Sequence, residues 1–288
     1  MAVVGYLIWK NKGGGGGLFN HNKPLGGPGI ALPPGSAIKK GGPFNIIAIN
    51  NPENIGAVDG GYQVNYKTYP TVGSLSGGTF WAIPTGLPNT AATLFYDVFI
   101  PSSFEWSPSV IDMPGGKLPG FCVGIQPRDC ATAGGWQEKA GGLRLMWREN
   151  GVVIGYWYAP LKGADQSGAF VKDQGPGVQA VAEATGSAGV KLWHLKGGGA
   201  LQLKKNAWNT ISVGIDLGTP NKADGVISVT VNGVNRKVTD VKWRELSEVR
   251  INNIDFASFA GGGSATWAFK KPTYAKFRNI KMTPGRAL

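Results

Sequence analysis

Three short segments in the middle of the chain concentrate the side chains that could do chemistry. These segments, 115–120, 142–148 and 156–158, carry Lys117, Arg144, Arg148, Tyr156 and Tyr158. An arginine suits a carboxylate because its fork of N–H donors matches both carboxylate oxygens. A lysine or a tyrosine can accept a proton near neutral pH only where its surroundings lower its pKa, as neighbouring cations do. These residue types therefore suit a site that binds an acidic group and moves protons.

Histidine and cysteine chemistry has much weaker support. His21 and His194 are the only histidines in the chain, which disfavours a metal site or a histidine-dependent triad. His194 is expected to be a strand residue beside Trp193. Cys122 and Cys130 form either one disulfide or two ordinary thiols, and two cysteines are too few to settle the compartment.

The hairpin between the second and third segments decides which side chains share a face. If its connection has three residues, a type I turn with a bulge at a left-handed Gly151, then Arg144 lies opposite Tyr156 and Gly142 lies opposite Tyr158. A two-residue Asn-Gly turn would shift the register by one and place Arg144 on the other face from both tyrosines. A shared site therefore requires the longer connection.

The order and spacing of the three segments resemble polysaccharide lyase family 14, whose jelly-roll members include chlorella-virus enzymes that act on uronic-acid polymers. The stretch 254–263, with Trp267 and 274–282, is similar to the terminal strands of that family. The resemblance covers roughly residues 78–283. It implies β-elimination, in which the proton next to the uronate carboxylate is removed and the glycosidic oxygen is expelled.

The resemblance also implies roles for individual residues. It places the catalytic site on Lys117, Arg144, Tyr156 and Tyr158. Arg144 would neutralise the carboxylate, a lysine or tyrosine would act as the base, and the other tyrosine would protonate the leaving oxygen. Arg148 and Gly142 are expected to line the substrate-binding part of the site. The chemistry demands no metal, and no cofactor is implied.

Gly142 is a departure from the family pattern. Family members usually carry a serine at this position, two residues before the site arginine. The hydroxyl group that could contact the substrate or orient the site is therefore missing. This difference predicts an altered choice of substrate, a weak activity or an inactive site.

Each candidate residue also has an ordinary structural explanation. Lys117 lies in a segment rich in glycine and proline and could be a solvated loop lysine. The arginines and tyrosines could be the exposed face of a two-sided hairpin whose other face buries Leu143, Leu145, Trp147 and Trp157. Only the joint pattern favours catalysis over these explanations.

The composition favours one large β domain with an anionic partner. The 288 residues include 46 Gly and 19 Pro, and only 16% are charged, so turns are frequent. The net charge of +12 favours a polyanionic partner. Nucleic acid, an acidic glycan and an anionic assembly surface all qualify. Nucleic acid is the least favoured, because the chain has no zinc-finger spacing, RNA-binding aromatic signature or long basic helix.

Runs of β-branched and aromatic residues between Gly, Pro, Asn and Asp predict many short strands. They are 44–50, 62–67, 79–83, 92–100, 118–125, 143–148, 152–159, 190–195, 208–215, 225–231, 249–259 and 274–282. Only 178–184 weakly resembles a helix. Short strands without intervening helices indicate a sandwich or barrel. With the resemblance, this predicts an all-β, antiparallel jelly-roll sandwich.

Residues 1–42 are predicted to form an extended, basic, Gly-rich N-terminal arm, and 43–288 a single jelly-roll domain. No acidic residue precedes Glu53, whereas five lysines do. The apolar run at 1–9 is shorter than the roughly 20 residues of a transmembrane helix and lacks the features of a secretory signal. No transmembrane span is therefore expected, and the arm suggests contacts with other subunits.

The sequence supports two main functional hypotheses, and the predicted N-terminal arm favours the first of them. The leading expectation is a capsid component of a virus particle, at a vertex or penton, whose lyase-like jelly roll contacts acidic polysaccharide of a host cell wall. Its partners would be other capsid subunits, and its location the virion. The alternative is an active, metal-independent lyase, secreted or extracellular, that cleaves uronic-acid polysaccharides. A lectin-like glycan binder lies between the two.

Overall fold

The computed structural model describes most of the chain after the first 29 residues. The described residues are 30–32, 38–42, 44–58, 60–68, 71, 75–106, 115–127, 129–130, 139–161, 167–185, 189–194, 201–262, 264–285 and 287. Two antiparallel sheets of eight strands each stack face to face. The predicted jelly-roll sandwich is therefore confirmed.

Sixteen strands and two short α-helices, with three 3-10 turns at Pro52–Asn54, Glu149–Gly151 and Ala265–Trp267, make up the described fold. The strands are β1 (Ile30–Ala31), β2 (Ile46–Asn50), β3 (Ile55–Val58), β4 (Gly61–Tyr66), β5 (Gly78–Ala82), β6 (Ala91–Ile100), β7 (Gly116–Gly124), β8 (Ala140–Trp147), β9 (Val153–Tyr158), β10 (Ala182–Ala184), β11 (Val190–Leu192), β12 (Ala207–Asp216), β13 (Gly225–Val231), β14 (Val234–Val241), β15 (Arg250–Ser258) and β16 (Thr273–Pro284). The helices are α1 (Ser167–Lys172) and α2 (Pro176–Val181). The first sheet has the order β14-β13-β12-β6-β16-β4-β3, with β1 beside β16. The second sheet has the order β10-β11-β9-β8-β7-β15-β5-β2.

The first sheet has one dry face and one face towards solvent. In β6, Leu94, Tyr96 and Val98 are buried, whereas the residues between them are only partly buried. This alternation is what an antiparallel sheet with one solvated face requires, because successive side chains point to opposite faces. The buried face packs against the second sheet to form the core of the sandwich.

The second sheet is buried on both faces at its centre. All eight residues of β8 are buried. Leu143, Leu145 and Trp147 point into the core, so the residues that alternate with them, including Gly142 and Arg144, lie on the opposite face. We call this opposite face of the second sheet the site face. Charged residues are rarely buried without a function or a partner. The site face is therefore the strongest candidate for a functional site.

One of the four strands that the sequence missed shows why it was missed. Each predicted stretch contains a strand, but β1, β3, β10 and β14 were not predicted. Strand β14 ends the first sheet and is largely exposed, so it carries polar residues instead of the alternation that reveals half-buried strands. The helix predicted at 178–184 is wrong at its end, because α2 stops at Val181 and 182–184 pair with β11.

Most of the predicted arm lies outside the described residues. Ile30 and Ala31 pair with Met282 and Lys281 of β16, and the buried Leu32 donates its N–H to the carbonyl of Ile280 at 2.8 Å. The division of the chain at residue 42 stays a prediction. Within the described residues, no helix is both long and apolar enough to cross a membrane.

The hairpin between β8 and β9 has the register that a shared site requires. Arg144 pairs with Tyr156, and Gly142 pairs with Tyr158, which confirms the three-residue connection. The predicted type I turn is wrong, because its third residue, Asn150, is left-handed with a φ of 57°, as is Gly151 with a φ of 78°. A type I turn needs a negative φ there, and asparagine tolerates the left-handed region well.

We expect Gly151→Ala to destabilise the fold more than Gly233→Ala. Both glycines have a positive φ, but a Cβ at Gly151 would lie 2.7 Å from the Leu203 carbonyl oxygen and 2.8 Å from Trp106, whereas a Cβ at Gly233 has nothing within 4 Å. Overpacking should therefore cost Gly151→Ala about 1–3 kcal/mol more of the free energy of unfolding. Urea unfolding of both variants measures the difference, and equal losses would contradict the close packing of this turn.

Candidate active site

The central strands of the second sheet bring the four predicted catalytic residues together on the site face. These residues are Lys117 on β7, Arg144 on β8, and Tyr156 and Tyr158 on β9. Lys117 lies opposite Met146, two residues from Arg144 on the same face. Directly opposite residues in an antiparallel pair share a face, so the register alone clusters the four side chains.

A β-bulge in β7 directs the Lys117 side chain to the site face. Pro119 and Gly120 together lie opposite Arg144, so β7 has one more residue than β8 at this point. Proline has no N–H for the ladder, and a Cβ at Gly120 would overlap a backbone carbonyl of β8. Lys117 and Phe121 would share a face in a regular strand. Because of the bulge, Lys117 lies on the site face while Phe121 packs in the core.

Lys117 is a buried amine in a cationic setting. It is 4% exposed, its Nζ donates to the Met146 sulfur at 3.0 Å, and it lies 4.2 Å from the centre of the Tyr156 ring. Burial, followed by the positive charges of Arg144 and Arg148, holds the pKa of Lys117 well below its usual range. A lysine that favours its neutral form can accept a proton.

Arg144 lies between a buried carboxylate and the site. Its Nη1 is 3.3 Å from Oδ2 of Asp255, an ion-pair contact between side chains that are 8% and 1% exposed. Its Nη2 is buried and has no hydrogen-bond partner among the described residues. An unpaired buried donor is costly, and a ligand carboxylate would satisfy it. The arginine therefore has the arrangement of an anion receptor.

Asp255 is a site residue that the sequence analysis did not single out. Burial raises the pKa of its carboxyl group, while the charges of Arg144 and Lys117 oppose that rise. The sequence of β15 does contain an indication of this site residue, because Asp255 stands between the apolar Ile254 and Phe256. A carboxylate at an alternate position of a buried strand needs a partner. The spacing does not say which partner that is.

The two tyrosines line the site side by side. The Tyr156 and Tyr158 rings are 5.2 Å apart at 71°, an edge-to-face contact. Tyr158 is 3% exposed, whereas Tyr156 is only partly buried. The Tyr156 ring thus lies against both Lys117 and the Tyr158 ring, and the two tyrosines share the face of β9 that carries the site.

Further cations extend the site towards the edge of the sheet. Lys191 of β11 pairs with Tyr156, and its pKa is lowered by burial and then by the charge of Arg148, while Glu183 opposes this. Burial also lowers the pKa of Arg148. His194 lies just beyond β11, not in a strand as expected, with its Nδ1 3.2 Å from Glu183. The site face therefore carries more positive than negative groups.

The cysteines pair in a disulfide beside the site. The Cα atoms of Cys122 and Cys130 are 4.7 Å apart, within the usual range for a disulfide. Their sulfurs and the Asp255 carboxylate lie within 4.8 Å of one another. Because a metal needs thiolate and the sulfurs are bonded to each other, this cluster does not fit a metal site. It ties β7 to the loop that follows it.

The chain is similar in sequence to a viral protein and in structure to alginate lyases. The chain is 26% identical over 235 residues to Exolysin of Paramecium bursaria Chlorella virus 1, which covers 76% of this chain and 33% of Exolysin. This chain therefore spans about a third of the length of Exolysin. An alginate lyase from Chlorella virus has a TM-score of 0.65 and 24% identity, with 84% of this chain and 93% of that chain covered.

A marine alginate lyase of family 14 from Aplysia kurodai has a TM-score of 0.69 and 22% identity, with 90% of this chain and all of that chain (100%) covered. Both structural likenesses show the fold. The family model for polysaccharide lyase 14 matches residues 60–280, which include every candidate catalytic residue described above. The chain therefore belongs to polysaccharide lyase family 14.

Proposed function

We propose that the chain is a lyase that cleaves uronic-acid polysaccharides of the alginate type by β-elimination. The observation that carries the proposal is a buried lysine with a lowered pKa beside an arginine that has an unpaired donor. This pair provides a base and a carboxylate receptor on one face. The similar structures named as alginate lyases support the substrate class.

The proposed reaction uses three side chains. Arg144 binds the uronate carboxylate through its unpaired nitrogen and neutralises its charge, which acidifies the hydrogen on the adjacent carbon. The neutral amine of Lys117 takes that proton. The carbon–hydrogen electrons form a carbon–carbon double bond, and the glycosidic C–O bond breaks. Tyr158 donates its phenolic proton to the leaving oxygen, so the products are an unsaturated uronate end and a new hydroxyl end.

The leading expectation from the sequence, a structural capsid component, is wrong. Family membership and the alginate lyases among similar structures favour the alternative, and nothing found supports capsid subunits as partners. That expectation relied on the arm at 1–42, which is mostly outside the described residues. Location in a virion stays a prediction, as does the role of the arm.

Gly142 has a structural reason in this chain. A Cβ at this position would lie 2.7 Å from the carbonyl oxygen of Phe121 in β7, closer than such atoms normally approach. Strand β7 therefore lies nearer to β8 than a serine would allow. The close approach of β7 to β8 thus explains why this position has no serine hydroxyl. We propose that the tyrosines and Arg144 bind the substrate without that hydroxyl.

The lyase proposal predicts turnover that depends on Lys117 and Tyr158. The chain is incubated with alginate, glucuronan and host-type wall polysaccharide, and ultraviolet absorbance reports the unsaturated uronate ends. We expect the absorbance to rise, and Lys117→Ala or Tyr158→Phe to lower kcat by about 10²- to 10⁴-fold, because each removes a proton-transfer group.

The matched control for this assay is Lys222→Ala, which removes an exposed lysine in a loop. It should turn over like the unmodified chain. No absorbance rise on any polymer, with the protein folded by circular dichroism, would reject the lyase proposal. A rise that survives Lys117→Ala would reject the assignment of the base.

The pH dependence of kcat/KM should reflect the charged groups around Lys117. The base must be neutral, so kcat/KM rises with pH through the lowered pKa of Lys117 and then levels off. Asp255 opposes the lowering of that pKa, so Asp255→Asn should move the rising limb to lower pH. Glu53→Gln is the control, because Glu53 pairs with Lys67 outside the site. An unmoved limb in Asp255→Asn would contradict the assignment of Lys117.

We expect Gly142→Ser, which restores the usual family residue, to destabilise this chain. The added Cβ meets the Phe121 carbonyl, and overpacking of this kind costs about 1–3 kcal/mol. The control is Gly56→Ser, because a Cβ at Gly56 has nothing within 4 Å. Urea unfolding compares the two. A Gly142→Ser variant as stable as the control would show that β7 can move to accept the side chain.

A further inference from the structure

The solvated face of the first sheet carries a row of aromatic and cationic side chains on three adjacent strands. Lys276 of β16 lies opposite Phe99 of β6, which lies opposite Trp208 of β12. Tyr274 is on the same face of β16, and all four side chains are partly exposed. We call these four residues, with Arg278, the outer row. It lies on the opposite side of the sandwich from the site face.

The outer row is connected by cation–π and ring contacts. The Lys276 Nζ lies 5.9 Å from the centre of Phe99 and 5.5 Å from that of Tyr274. The Phe99 and Trp208 rings are 5.7 Å apart. Such contacts hold the side chains in place before any ligand arrives. The row thus offers apolar ring surface next to fixed positive charge.

The contacts of Arg278 position its guanidinium group to bind an anion. Its guanidinium carbon lies 4.0 Å from the centre of the Trp208 ring, and its Nε donates to Oδ2 of Asp97 at 3.1 Å. Asp97 also accepts from Asn279 at 2.7 Å. The Arg278 side chain is 38% exposed, and Asp97 is its only acceptor among the described residues. The remaining donors of the fork can therefore bind a carboxylate with both oxygens.

The charge of this face favours a polyanion. Strand β16 places Lys276, Arg278 and Lys281 along the face, and Asp97 is the one acidic residue opposite them in β6. Aromatic rings suit the C–H faces of sugar rings, and the cations suit carboxylates on the same sugars. A chain of uronic acids presents both groups at every residue, whereas a neutral glycan lacks the carboxylates.

We infer that the outer row is a second, non-catalytic binding surface for acidic polysaccharide. It would hold the polymer or the wall matrix while the site face cuts another stretch of it. The identity of the ligand rests on the proposed function, but binding at the outer row does not require turnover. The two can therefore fail separately.

The test measures binding without cleavage. Affinity electrophoresis in alginate gels is run on the full chain carrying Lys117→Ala, alone and with Trp208→Ala, Arg278→Gln or Arg278→Lys added. We expect each addition to weaken polymer binding at least tenfold. Arg278→Lys keeps the charge but loses the fork, so it separates recognition from electrostatic attraction.

The matched control is Lys237→Gln, which removes an exposed cation from the same face on β14. It should change binding little, and an equal loss would mean attraction by net charge alone and would overturn the inference. Unchanged binding in Trp208→Ala and Arg278→Gln, or tighter binding of single-stranded RNA than of alginate, would also overturn it.

Turnover provides the second readout. In the chain with Lys117 intact, Trp208→Ala and Arg278→Gln should leave kcat/KM on a short uronate oligosaccharide unchanged, because that substrate reaches only the site face. Equal losses on oligosaccharide and polymer would assign these residues to folding and overturn the inference. A chain without lyase activity whose polymer binding still depends on the outer row would reject the proposed function alone.

Discussion

The buried contact between Arg144 and Asp255 is the interaction on which the site depends. A guanidinium that is almost fully buried would be costly without a negative charge beside it. Asp255 supplies that charge next to Nη1, while Nη2 has no hydrogen-bond partner among the described residues. The same carboxylate limits how far the pKa of Lys117 falls. One ion pair therefore anchors the proposed carboxylate receptor and moderates the pKa of the proposed base.

Backbone irregularities give this ion pair its neighbours. The bulge at Pro119 and Gly120 changes the face to which β7 points its side chains, so that Lys117 reaches the site and Phe121 stays in the core. The left-handed turn ending at Gly151 gives the hairpin the register that places Tyr156 beside Arg144. Glycine is required at both places because a Cβ would meet a backbone carbonyl oxygen, that of Leu143 in β8 for Gly120 and that of Leu203 for Gly151. The geometry of the candidate site is thus built into the sheet and its tight turn.

In the proposed function, the two outer faces of the sandwich meet acidic polymer in different ways. The site face buries its cations and so shifts their pKa values, which suits proton transfer. The outer row leaves its cations partly exposed and supports them with aromatic rings, which suits binding without chemistry. Both arrangements arise from the same alternation of side chains in a sheet. They differ in how much water reaches the charged groups.

The sequence by itself determined the strands with strong alternation and the family segments that hold the four candidate catalytic residues, and it reduced the register of the β8–β9 hairpin to two alternatives. These features depend on residues close together in the chain, where a period of two is a sufficient signal for a strand. The structure selected the register, through the left-handed Asn150 and Gly151. Only the tertiary structure decided that Asp255 contacts Arg144, that Cys122 bonds to Cys130 and that Lys191 joins the site. Those contacts are set by the order of strands in the sheet and by a bulge, and local spacing carries no information about which distant strands become neighbours.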